Sequence, residues 1–443
     1  MADVRPFRGL RYNSKKHVDL ENLIAPPYDV VDPELQKQLY EKSNYNIIQL
    51  ELGTEKDTDT PDNNRYTRAA TLLTGWLNQQ VLTSDTEPSF YLTSHAFQYK
   101  GKRLERKELT VALRLEEWSQ GMIRPHEGTA AGPKEDRLAL MQSTKTNLSP
   151  IMILSDDPTG LIQENITTIE KEPPLAVAEV DNDTTFKVWK QVEGELTSSI
   201  QQSFKDLPLY IADGHHRYET ALEYCRRNQV PLVGDTNESA AFVLASIIDI
   251  SDSGLLSLPY HRLIRNLTSN ARRNLTSVVS KPFTIESYQV ENKTSSEIAD
   301  LFDQIRRNAN APVFGIYGLQ TNVLSILLVS DIDAIQEVMP AGRSRAWCTL
   351  TPTIFSEYIA PNFLDMTQPE AESIGILDYT GDAHAAIESV KNGASDAAFL
   401  SSSVPFDALK QVADAGERLP RKSTYFYPKL TTGIVMKSLM GTL

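Results

Sequence analysis

The chain has 443 residues, 40 % hydrophobic and 23 % charged, which describes an ordinary globular protein of two or three domains. A net charge of −14 excludes nucleic-acid binding through a general basic surface, while leaving room for a local basic pocket. Two cysteines, Cys225 and Cys348, exclude a disulfide framework or cysteine-rich zinc site and fit a reducing cytoplasm. The first residues lack the apolar stretch of a signal peptide, and no run approaches the roughly twenty apolar residues that span a bilayer. A cytoplasmic protein with neither membrane nor nucleic-acid partners is expected.

Near the start, Pro26-Pro27 forces an extended segment, and Asp32-Pro33 supplies N-cap and first-turn residue for a helix through about Lys42. Arg8, Tyr28 and Asp29 are polar groups on this stiff backbone, a common way to place site residues; the plainer reading is a proline-rich turn packing its aromatics. Residues 46–52 read as a strand and 66–79 as an amphipathic helix. Residues 90–99 and 106–115 alternate as two strands, with a hairpin turn at Gly101-Lys102. His126, Glu127 and Thr129 then sit on a loop with Gly128 and Gly132, before a helix over 134–144 that carries Asp136 and Arg137. Loops of this kind often hold catalytic groups. Glu127 suits a general base or magnesium ligand, and His126 an acid, base or ligand. Strands at 176–180 and 185–189 and a further helix follow.

The stretch 207–222 carries the densest chemistry. Leu209 to Ala212 form a short apolar run of buried-strand length, and Tyr218, Ala221, Leu222 and Cys225 recur at helical spacing. Between them stand Asp213, Gly214, His215, His216 and Arg217. A strand that turns sharply into a helix presents backbone N–H groups and the positive end of the helix dipole, which favour an anion. Gly214 permits positive φ or close backbone approach, Arg217 offers a fork for phosphate or carboxylate, and the histidines titrate near neutral pH. The plainer reading makes Asp213 a simple N-cap.

Residues 238–249 read as helix or strand, and a second His-Arg pair, His261-Arg262, follows Pro259. Beyond Thr268 helix-like and strand-like segments alternate at 280–290, 295–308, 313–317, 323–329, 383–392, 397–400 and 406–415, a separate α/β region. Near the C-terminus Arg421, Lys422, Ser423, Thr424 and Lys429 interleave with three aromatics, a composition suited to phosphate contacts and base stacking.

Together, Pro6-Phe7-Arg8-Gly9, Ala25-Pro26-Pro27-Tyr28-Asp29, Pro125-His126-Glu127, Asp136-Arg137, Ser149-Pro150, Asp213-Gly214-His215-His216-Arg217, Leu258-Pro259-Tyr260-His261-Arg262 and Lys422-Ser423-Thr424-Tyr425-Phe426-Tyr427-Pro428-Lys429 resemble the domain-of-unknown-function family 1015 (DUF1015), almost end to end. Leu419 and Tyr260 depart from the methionine and threonine usual in that family. The Asp-Gly-His-His-Arg elbow resembles, more distantly, the phosphate-binding Gly-x-x-Arg turn of the ParB and sulfiredoxin superfamily, which includes kinases of free serine. That resemblance implies an α/β (α+β) fold with a mixed-sheet ParB/sulfiredoxin-like core and a large insertion, plus a C-terminal α/β domain. It implies a catalytic region over 1–268 with an insertion at about 88–202, and a C-terminal domain over 269–443 whose segment 416–433 returns to the site. The sulfiredoxin cysteine has no counterpart here, which argues against sulfinic acid reduction.

The expected function is phosphoryl transfer or phosphate-ester hydrolysis on a small phosphorylated metabolite, of serine or phosphoserine type, with Mg²⁺ and a nucleotide (ATP, ADP or CTP). His126, Glu127, His215 and His216 are the expected catalytic groups. Asp213, Gly214, Arg217, Lys422, Ser423, Thr424 and Lys429 are the expected phosphate contacts. Arg8, Tyr28, Asp29, Asp136, Arg137, His261 and Arg262 are expected to support the substrate. One alternative is a metal-dependent hydrolase using His126, Glu127, His215, His216 and His261; another is a nucleotide-binding regulatory protein without turnover.

Overall fold

The computed structural model describes residues 1–16, 19–129, 131–277 and 282–443. They form two compact units: residues 1–125, 129–256 and 428–443 in the first, 126–128 and 257–427 in the second.

The first unit is built on a nine-stranded mixed sheet. Its order is Ile123–Pro125, Leu209–Asp213, Ile151–Ser155, Phe242–Asp249, Lys102–Arg114, Ser89–Tyr99, Thr185–Val192 and Ala176–Glu179, with Val4–Arg5 paired beside Lys102–Arg114. Leu209–Asp213 runs parallel to Ile123–Pro125 and antiparallel to Ile151–Ser155. Phe242–Asp249 is parallel to Ile151–Ser155, and the remaining pairs are antiparallel. The strands of the 88–202 stretch, Thr146–Asn147 excepted, are thus hydrogen-bonded into the same sheet as the elbow strand. Ile151, Ile153, Leu209, Ile211, Val243 and Ala245 are buried in one cluster with Tyr218, Ala221, Leu222 and Cys225 of helix His215–Arg227. Burying a side chain such as Leu222 contributes about 2 kcal/mol, which anchors the helix that carries the elbow. A smaller sheet joins Leu82–Ser84, Gly9–Tyr12, Met436–Ser438 and Thr146–Asn147.

The second unit has a six-stranded antiparallel sheet, ordered Phe283–Gln289, Val323–Val329, Val313–Tyr317, Ala397–Leu400, His261–Ile264 and Leu377–Thr380. Helices Ser295–Asn308 and Ala383–Lys391 place Ile298, Phe302, Ala386 and Ile387 in its core.

Local signals form most elements. The side chain of Asp32 accepts a hydrogen bond from Leu35 N at 2.8 Å, capping helix Pro33–Lys42. The hairpin turns at Lys100 and Gly101, both at positive φ (48° and 75°), one residue before the expected pair; turns of this hand match the strand twist. Residues 46–52 are not a strand. Asn46 accepts a hydrogen bond from Ile48 N at 3.0 Å and donates to the Asn22 and Ile24 carbonyls, which sets up the short helix Ile48–Glu51 despite its β-branched residues. The strand expected over 280–290 spans Phe283–Gln289; residues 280 and 281 lie outside the described residues.

Candidate functional site

The elbow strand ends at Asp213, and Gly214 at φ +90° is the cap from which helix His215–Arg227 starts. The N-cap is Gly214, not Asp213, and a glycine has no side chain with which to cap the helix. Its carboxylate instead accepts hydrogen bonds from Lys429 Nζ and, at 2.9 Å, from Arg217 Nη2. Arg217 Nη1 donates to the Pro150 carbonyl, so the guanidinium ties the start of the helix to the neighbouring strand segment. The guanidinium lies directly under the turn: a Cβ on Gly214 would stand 3.0 Å from Arg217 Nε and Nη2 and 2.9 Å from Ile151 Cγ2. Gly214→Ala is therefore expected to lose about 2–4 kcal/mol, from left-handed backbone strain plus overpacking, read as a lower urea midpoint at unchanged m-value.

Lys429 comes from the C-terminal segment. Arg106, fully buried and paired with Glu108 at 2.6 Å, donates Nη1 to the Pro428 carbonyl and so fixes the residue before Lys429. Burial disfavours the Asp213 carboxylate, but the charges of Lys429 and Arg217 outweigh it and hold the group at about 2, below its ordinary 3.8. Asp213, Arg217 and Lys429 together carry a net charge of +1 beside the positive end of a helix. His215 is buried at the first helical position and His216 half-buried.

A second polar group lies close by in the same unit. Arg137 donates Nη1 to the Glu51 carbonyl at 2.9 Å and carboxylate at 3.3 Å, and pairs with Asp136 at 2.6 Å. The Tyr28 ring covers its guanidinium at 4.0 Å. Burial pushes the Tyr28 phenol up to about 12, against the opposing charges of Arg217 and Arg137. Glu51, Arg137, Ser149 and Arg217 line a cavity of about 30 Å³, room for about one water. Thus Tyr28, Asp136, Arg137, Arg217, Asp213 and Lys429 are brought together through this network. Glu51, Ser149 and the Arg65–Tyr66 pair that binds Asp136 were not foreseen. The signal available was Glu51 itself, an acidic residue closing an apolar run.

The remaining expected residues have their own contacts within each unit. Arg8 is exposed, donates to the Thr86 carbonyl at 3.2 Å and lines a separate cavity of about 510 Å³; Asp29 is exposed. In the second unit, Glu127 accepts hydrogen bonds from the backbone N–H groups of Lys422 (3.1 Å) and Ser423 (3.4 Å), and His126 Nε2 lies 2.8 Å from Thr424 Oγ1. Lys422 Nζ stands 5.0 Å from the Tyr260 ring centre. His261 Nδ1 accepts from Ser401 N at 3.1 Å, and burial lowers its imidazole to about 4, so it is neutral at pH 7.

Among the described residues no three His, Cys, Asp or Glu side chains are grouped to hold a metal ion. An Mg²⁺ held by one carboxylate and the phosphates of a ligand needs no such group. Burial raises the Cys225 thiol to about 12, and Cys225 Sγ lies 3.1 Å from the Ala240 carbonyl, marking it as a packing residue of the elbow helix. Among the described residues no helix is long and apolar enough to cross a membrane.

The family model described as "Protein of unknown function (DUF1015)" matches residues 4–344. No curated protein matches the chain. Solved structures similar to it include a mutant free serine kinase in complex with ADP, at 12 % identity and TM-score 0.35, covering 71 % of this chain and 88 % of that one. They also include a conserved hypothetical protein from Pyrococcus furiosus (14 %, TM-score 0.34, 71 % and 92 %). A third is C-terminally truncated SbnI from Staphylococcus aureus (10 %, TM-score 0.33, 70 % and 82 %). Likenesses of this size do not bear on the chemistry of the site.

Proposed function

This chain belongs to the DUF1015 family, and we propose that it transfers or hydrolyses a phosphoryl group on a small metabolite at the Asp213–Arg217 elbow. The observation that carries this reading is the pair of cations, Lys429 and Arg217, sharing one buried carboxylate at a helix start whose N-cap residue is a glycine. Fixed positive charge in a partly dry site stabilises the charge that spreads over a transferring phosphoryl group. Lys429 is the mobile half of the pair, a flexible ammonium able to leave Asp213 for a phosphate oxygen; Arg217 keeps the turn rigid through the Pro150 carbonyl. His215 and His216, in the first turn, take the acid–base role. In this reading serine accepts a phosphoryl group from a nucleotide (ATP, ADP or CTP) held with Mg²⁺, giving phosphoserine and the shortened nucleotide, or phosphoserine gives up its phosphoryl group to a nucleotide or to water. Nucleotide phosphates suit the elbow, because its net charge of +1 and the helix dipole have the same sign.

The sheet supports the choice of edge. Ile123–Pro125 runs parallel beside the elbow strand, with Pro125 opposite Ile211, and ligands of α/β sheets gather at the carboxyl ends of such strands. His126 and Glu127 follow that strand directly in the chain, which is the basis for proposing Glu127 as base or magnesium ligand.

The test is a thermal-shift and turnover screen of ATP, ADP and CTP, with and without Mg²⁺, with serine and phosphoserine as co-substrates. Nucleotide-dependent stabilisation together with product formation is the expected result. Saturable binding with no product over hours makes the protein a nucleotide-binding regulator instead. No binding by any nucleotide overturns the reading. Unchanged turnover in Glu127→Gln removes that residue from the mechanism.

A further inference from the structure

In the second unit, Arg262 is 1 % exposed, in the interior of a six-stranded sheet, with Tyr379 and Phe399 opposite it on the flanking strands. Its Nη1 donates to the Tyr260 carbonyl at 3.1 Å and to Ser401 Oγ at 3.2 Å. Its Nε and Nη2 have no hydrogen-bond partner. The cation lies 4.5 Å from the Phe355 ring centre and 5.9 Å from that of Tyr379. Burial lowers the guanidinium to about 10, so it remains charged at neutral pH. A buried charge without a paired counter-charge is strongly unfavourable, and unpaired buried N–H groups add about 1–3 kcal/mol each.

The two unpartnered nitrogens lie on one edge of the guanidinium. Nε and Nη2 present parallel N–H bonds, the spacing that matches the two oxygens of a carboxylate or phosphoryl group. A second unpartnered atom belongs to the hydrogen-bond network that reaches the Tyr379 hydroxyl. Gln368 is 2 % exposed; its Nε2 donates to Glu372 Oε1 at 3.0 Å and to the Arg421 carbonyl at 3.1 Å, which fixes the amide orientation and leaves Oε1 without a partner. Glu372 Oε1 also accepts from the Tyr379 hydroxyl, whose ring borders Arg262.

We propose that the Nε–Nη2 edge of Arg262 binds an oxyanion, a carboxylate or phosphoryl group of a small ligand, at a site in the second unit distinct from the elbow. The proposal stands without the elbow reading. The Phe355 and Tyr379 rings border the guanidinium, and a hydrogen bond made in such low-dielectric surroundings is strengthened.

The experiment is isothermal titration of the full chain with inorganic phosphate, acetate and glycine, comparing wild type, Arg262→Met, Arg262→Lys and Arg217→Ala. Arg262→Met is expected to bind one equivalent fewer of its preferred probe, and Arg262→Lys, which keeps the charge but loses the fork, to bind it at least tenfold more weakly. Arg217→Ala is expected to keep that equivalent, so failure at the elbow and failure at Arg262 read differently. Preference for phosphate over acetate and glycine identifies the phosphoryl class, and the reverse the carboxylate class. Equal stoichiometry and affinity in wild type, Arg262→Met and Arg262→Lys for all three probes, or no uptake by wild type, overturns the proposal and leaves Arg262 a structural residue satisfied by water.

Discussion

Asp213→Asn is expected to destabilise the first unit by about 3–5 kcal/mol, a large share of the 5–15 kcal/mol that usually holds a domain together. The carboxylate is the shared acceptor of Lys429 and Arg217, whose side chains are 8 % and 9 % exposed. An amide of the same shape removes the negative charge that these two poorly solvated cations share. The sign of the pH dependence follows from the lowered carboxylate. In the folded chain Asp213 titrates at about 2, below its ordinary 3.8. Its contribution is therefore complete above about pH 4 and is lost as pH falls towards 2, on the order of 2 kcal/mol in all. Urea midpoints measured from pH 5 to 2 should fall more steeply for wild type than for Asp213→Asn. Parallel profiles would show that the pair contributes no net stability.

Arg217→Ala is expected to lower turnover about 100- to 1,000-fold and to abolish nucleotide-induced stabilisation. Two effects combine. The variant removes a fixed positive charge from the elbow, and it releases the bond from Nη1 to the Pro150 carbonyl that holds the turn against the strand segment. Lysine at this position keeps the charge, yet its single ammonium cannot span the Pro150 carbonyl and Asp213 as the guanidinium does. Arg217→Lys is thus expected to fall between wild type and alanine in turnover. Circular dichroism should first establish that each variant is folded. Wild-type turnover in a folded Arg217→Ala would remove the elbow from the chemistry.

Much of the framework was legible because its signals are short-range. The Asp32-Pro33 start of a helix, the apolar run Leu209 to Ala212, and the helical spacing of Tyr218, Ala221, Leu222 and Cys225 each lie within a few residues and act through local geometry. Gly214 at positive φ is of the same kind. The segment 46–52 departs from its local signal for the opposite reason. Its isoleucines suit a strand, but Asn46 bonds carbonyls of residues 22 and 24, and that tertiary anchor decides the conformation.

The amino-acid sequence by itself determined the family, the mixed α/β class and the elbow with its glycine, arginine and paired histidines. Only the tertiary structure decided that Asp213 meets Lys429, 216 residues away, instead of capping its own helix. It likewise decided that Glu51 joins Arg137, and that Glu127 is held by the backbone of Lys422 and Ser423. Periodicity and capping arise from backbone geometry within one or two turns, so they are written locally. An ion pair between residues far apart in the chain forms wherever folding brings opposite charges within reach, and no spacing along the chain encodes that meeting.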